Sequence, residues 1–88
     1  MSELCRFAGL VIYMMFFDTG KHNKPHVHVS YGEYEAVLAI DGELLAGSLP
    51  VKQMKMVTRW LGIHEDEAYK AWNLAVQGKN FDKIPYTK

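Results

Sequence analysis

The chain has 88 residues and a mass of 10.1 kDa, which gives one domain, 1–88, and excludes a second core. Hydrophobic residues make up 49% and charged residues 23%, which excludes a disordered polyelectrolyte. Ten Lys and Arg balance ten Asp and Glu, which argues against nucleic-acid binding by bulk charge and leaves no long-range repulsion between copies.

At the N-terminus, 1–6 contains Glu3 and no cleavage site follows an apolar run, so no secretory leader is expected. Cys5 is the single cysteine and cannot form an internal disulfide, which favours a reducing compartment. The most apolar stretch, 7–17, is too short to span a membrane. A cytoplasmic protein with no membrane association is expected.

The segment from Gly9 to Phe17 is rich in β-branched and aromatic residues and has no polar face. It reads as a central strand covered on both sides. The polar stretch 18–24 reads as a loop with Gly20 as its turn residue. Two alternating segments follow, 26–30 and 33–40. With Tyr31-Gly32 as a two-residue hairpin loop, Ser30 faces Glu33, Val29 faces Tyr34 and His28 faces Glu35. Val27, Val29, Tyr34, Ala36, Leu38 and Ile40 then share one face, and His26, His28, Ser30, Glu33 and Glu35 the other. Asp41-Gly42 is a stronger turn signal and leads to a short strand, 43–46.

Ser48 or Leu49 is placed to cap a helix with Pro50 in its first turn. That helix runs over about 50–61. Its apolar stripe is Val51, Met54, Val57, Thr58 and Leu61, widened by Trp60, and Gly62 is placed at its end. A second helix begins near His64. Glu65, Asp66 and Glu67 fill its first turn, where the helix dipole favours negative charge. Ala68, Ala71, Trp72 and Ala75 form its inner stripe, and Gly78 ends it. The tail, 79–88, carries Phe81, Ile84 and Tyr86 and is expected to dock as an extended arm, in cis or across a dimer. The expected fold is α+β: an antiparallel β-meander of three or four strands, two C-terminal helices and an extended tail. The two-sided apolar strand points to a homodimer.

The stretch His22-Asn-Lys-Pro-His-Val-His-Val29, followed by Tyr31-Gly32 and Glu35-Ala36, resembles a small prokaryotic family known as domain of unknown function 4160. The resemblance runs on through Asp41-Gly42-Glu43, the Gly47-Ser-Leu-Pro50 helix entry, Trp60 and Trp72. Lys24 stands where the family often has a second proline. The resemblance implies a stand-alone cytoplasmic bacterial protein, often encoded beside a small partner in an arrangement like a toxin–antitoxin pair. It implies no catalytic residues.

The histidines are the one cluster with chemical potential. His26 and His28 lie two apart on a strand, so both rings point to one side, and His22 precedes them in the loop. Three readings stand side by side. His22, His26 and His28 suit a divalent transition metal such as zinc. His26 and His28, with Glu35 as orienting carboxylate, suit general acid–base catalysis. With Lys24, Lys52, Lys55 or Arg59 holding a phosphate, that chemistry would make a small ribonuclease, phosphodiesterase or hydrolase. In the third reading the histidines pair with Glu33 and Glu35 across the hairpin or line an interface. The basic stripe Lys52, Lys55, Arg59 is the only local feature suited to nucleic acid, and at zero net charge a solvated helix face is the better explanation of it. The reading adopted is a protein-association module.

Overall fold

The structure, a computed structural model, describes residues 2–15 and 24–86. The chain runs β1 (Ser2–Phe7), β2 (Leu10–Met14), β3 (His26–Tyr31), β4 (Tyr34–Ala39), β5 (Leu44–Gly47), α1 (Val51–Ile63) and α2 (Glu65–Val76). The strands form one antiparallel sheet in sequential order, β1-β2-β3-β4-β5. The α+β meander with two C-terminal helices is as expected, with five strands in place of three or four.

The additional strand is β1. It is joined to β2 by Ala8-Gly9, which pairs Phe7 with Leu10. Both turn residues have positive φ, +50° and +80°, as a type I′ turn requires. Alanine is a poor occupant of that region, so the turn has no sequence signature. Leu4, Cys5 and Phe7 then face inward, with a bulge between Glu3 and Cys5 where the register shifts.

The β3–β4 hairpin is paired two residues away from the expected register. Tyr31 pairs with Tyr34, Ser30 with Glu35, His28 with Val37 and His26 with Ala39. The loop is Gly32-Glu33, with Gly32 at φ +56° in the first central position, where a type II′ turn places glycine. A shift of two preserves which residues share a face. Val27, Val29, Ala36 and Leu38 therefore point inward as expected, but Glu35 no longer stands opposite His28. Tyr34 is exposed at the strand start and stacks beside Tyr31, centroids 6.5 Å apart. The β4–β5 connection is wider than a two-residue turn, closed by Gly42 N–H donating to Ala39 O and Ala39 N–H to Glu43 O, both 2.8 Å.

Both helices belong to the core on the inner face. Val57, Trp60 and Leu61 of α1 and Ala68, Ala71 and Ala75 of α2 join Leu4, Leu10, Ile12, Val29 and Leu38 of the sheet. Helix α1 starts after Pro50 without a side-chain cap and continues through Gly62 to Ile63; Ser48 and Leu49 do not cap it. Because the stripe ends in Trp60 and Leu61, Val51 at the N-terminus is left exposed. Helix α2 ends in a paired closure, Gly78 N–H to Ala75 O and Lys79 N–H to Leu74 O, with Gly78 left-handed at φ +71° as a Schellman cap requires. The tail packs in cis: Ile84 is 4% exposed and its N–H donates to Leu4 O at 2.7 Å. No helix among the described residues is long and apolar enough to cross a membrane.

Candidate functional site

The alternation of β3 puts His28 and Ser30 on the outer face, whereas His26, at the start of the strand, is covered by a side chain of α2. His26 and His28 do come together, rings edge to face with centroids 5.4 Å apart. Their environments differ. His26 is 1% exposed and its ring lies 4.9 Å from that of Trp72, which reaches it from α2. Its Nδ1 lies 2.8 Å from the Lys24 carbonyl oxygen. A carbonyl only accepts, so Nδ1 carries the proton. This ring is held as a packed core group. His28 is half-buried on the open face and stacks on Tyr13 at 5.4 Å and 20°.

Tyr13 is the residue that sequence reasoning missed. The β2–β3 register places it directly opposite His28, and no pattern within either strand announces that pairing. Burial, and secondarily the negative charge of Glu35, push its phenol above the ordinary range. The phenol therefore keeps its proton at neutral pH. Glu35 is exposed and pairs with Ser30 in register, and its carboxylate makes no hydrogen bond or ion pair among the described residues. It acts on Tyr13 through its charge and does not hold the His28 ring.

Two shallow concavities flank this ridge. One, about 250 Å³, lies between Tyr13, His28, Glu35, Val37 and Ala46. The other, about 340 Å³, lies between Arg6, Val11, Tyr13, Ser30 and Glu35. Arg6 donates to Glu3 Oε1 from two nitrogens, at 2.8 and 3.2 Å, and Lys83 Nζ lies 3.4 Å from the other Glu3 oxygen. The Arg6 bond, with its charge and that of Lys83, holds the Glu3 carboxyl below the usual range.

The expected phosphate-holding cations are placed elsewhere. Lys24 Nζ sits 2.7 Å from Asp41 Oδ2 and 3.0 Å from Glu43 Oε1. Both bonds raise the lysine, and the Lys24 bond together with the Glu43 backbone N–H lowers Asp41. Lys52, Lys55 and Arg59 are exposed on α1, in the layer on the other side of the sheet from His28. Among the described residues no group of three or more His, Cys, Asp or Glu is placed to hold a metal ion; His22 lies outside the described residues.

Another buried histidine carries no motif. His64, between the helices, is 5% exposed and its Nδ1 lies 2.7 Å from Glu67 Oε1. Its ring lies 5.2 Å from that of Trp60. His64 Nε2 and Trp60 Nε1 are buried without a full hydrogen bond among the described residues. Burial pushes the adjoining Cys5 thiol up, and the Trp60 indole offsets this in part. The thiol is a core group with little thiolate character.

A protein-family model described as "Domain of unknown function (DUF4160)" matches residues 9–73. The chain belongs to this family. The DUF4160 match spans β2 to most of α2 and includes Tyr13, His28, Glu35 and Val37. Strand β1 and the segment 79–86 flank it. No curated protein and no solved structure gave a match.

Proposed function

We propose that this DUF4160 chain is a small protein-association domain whose outer sheet face docks on the same face of a second copy. The carrying observation is one-sided packing. Both helices pack on the inner face, while the outer face presents small, half-buried side chains, Val11, Ser30 and Val37, around the Tyr13–His28 stack. Small side chains allow the close approach that sheet-on-sheet packing needs, about 10 Å between sheets.

The charges favour a second copy as occupant. At the β1 side two cations, Arg6 and Lys83, share one carboxylate, Glu3. Toward β4, Glu35 has no ionic partner among the described residues. A two-fold axis through the central strands sets each surplus cation against the other copy's surplus carboxylate. Five strands of about five residues span roughly 24 by 17 Å, about half the patch per partner of a standard specific interface, so weak self-association, in the micromolar range, is expected. A partner encoded nearby is the other occupant this reading admits.

A hydrolytic reading, whether ribonuclease or metal-dependent, has less in its favour. Of its residues His28 and Glu35 stand at the open face, whereas His26 is enclosed and Lys24 is neutralised twice.

The test is a charge exchange followed by sedimentation velocity. Glu35→Arg is expected to weaken self-association at least about tenfold, since like charges then oppose across the interface. Adding Arg6→Glu is expected to restore much of it. A Glu35→Arg chain that associates as well as the unmodified one would refute the proposed face.

A further inference from the structure

The second surface with a defined shape is the groove between β1 and α2. It is occupied by the chain's own segment 79–86, which is extended and belongs to no strand. Three successive features seat it. Lys83 faces Glu3 at 3.4 Å, Ile84 is buried in the core, and Tyr86 stacks on Phe7 with centroids 4.2 Å apart. The side chains at 84 and 86 thus occupy two adjoining seats while 83 points to the opposite side. This is the alternation by which a sheet edge reads an added strand.

The segment fills that groove incompletely. Among the described residues a single backbone hydrogen bond joins it to β1, Ile84 N–H to Leu4 O, although β1 is a six-residue edge strand. Pro85 cannot donate another. Beneath the segment a cavity of about 180 Å³ remains between Phe81 and Ile84 on one side and Lys70, Ala71 and Leu74 on the other.

We propose that this groove is a binding site for an extended peptide segment of a partner protein, and that residues 79–86 are its resident competitor. The favoured ligand carries a cation, then an aliphatic residue, then an aromatic residue two positions further on. An extended ligand without the proline forms more ladder bonds with β1 than the resident segment does, and a larger side chain fills the cavity. The aliphatic and aromatic seats of this site do not depend on the self-association reading, although Glu3 and Lys83 border both surfaces.

The experiment uses a fluorescent synthetic peptide with the sequence of residues 80–86 and the full chain. A tethered segment competes at an effective concentration of order millimolar. The unmodified chain is therefore expected to bind the peptide weakly, and the Ile84→Asp chain, whose own segment loses its anchor, at least about tenfold more tightly. Glu3→Lys, added to Ile84→Asp, should reduce that binding, and a peptide with Asp in place of its isoleucine should not bind. Circular dichroism establishes that each variant is folded. If Ile84→Asp does not fold, Tyr86→Ala removes the aromatic seat alone and should tighten peptide binding in the same direction. Equal affinity of folded variant and unmodified chain, or binding insensitive to Glu3→Lys, would overturn the proposal. Self-association of the outer face is read separately, by sedimentation without peptide.

Discussion

Replacing Trp60 by alanine is expected to destabilise the fold by about 3–5 kcal/mol, the range for truncating a large buried aromatic. Trp60 is 1% exposed and joins α1 to β1 through Cys5 and to the helix junction through His64. A domain of this length has a total stability of roughly 4–13 kcal/mol, so the substitution removes a large share of it. Urea unfolding followed by circular dichroism reads the change as a lower midpoint. A loss under about 1 kcal/mol would mean that the helical layer is not anchored at this side chain.

The second large effect is expected at Gly47. Its φ is +72°, and a Cβ built there would run into the Glu35 carbonyl oxygen and lie 3.0 Å from Ala36 Cα. Both obstacles are backbone atoms of β4, so no side-chain rotation relieves them. Gly47→Ala should therefore cost at least about 2 kcal/mol, combining left-handed strain with displacement of β5. The Ser48 N–H bond to Glu35 O at 3.0 Å would be lost with it. Because Gly47 also borders the outer concavity, the variant should associate less well than its stability alone predicts. Unfolding curves and sedimentation of the same preparation separate the two effects.

Gly47 also illustrates what the sequence disclosed. It closes β5 one residue beyond the expected strand 43–46, and its close approach to Glu35 depends on a pairing that no local pattern reveals. The elements with strong periodicity were legible: the alternation in β3 and β4, and the alanine stripe of α2. The hairpin faces were legible too, because a register displaced by two residues leaves every side chain on its own side. The partner across the hairpin was not, since Tyr31-Gly32 and Gly32-Glu33 are equally short loops and differ only in where glycine must take positive φ. Strand β1 stayed hidden behind an Ala-Gly turn.

The candidate site was half legible for the same reason. His26 and His28 share a face because of strand geometry alone. That one is enclosed by Trp72 and the other lies on Tyr13 follows from tertiary packing and from a second strand pairing. Tyr13 itself sat in an apolar run where nothing distinguished it from its neighbours. Arg6 and Glu3 joined the site only because β1 exists. The docking of Ile84 was foreseen as an apolar arm but had no predicted address, because a single anchoring side chain carries no periodicity.

Two copies of this chain are expected to join through the outer sheet face. The most direct measurement is sedimentation equilibrium of the unmodified chain at neutral pH over a concentration series from about 1 to 300 μM, spanning the weak-interface range. A reversible shift is expected from the 10.1 kDa chain to a species of twice that mass, with a midpoint in the micromolar range. A single species at the monomer mass across the whole series would contradict it.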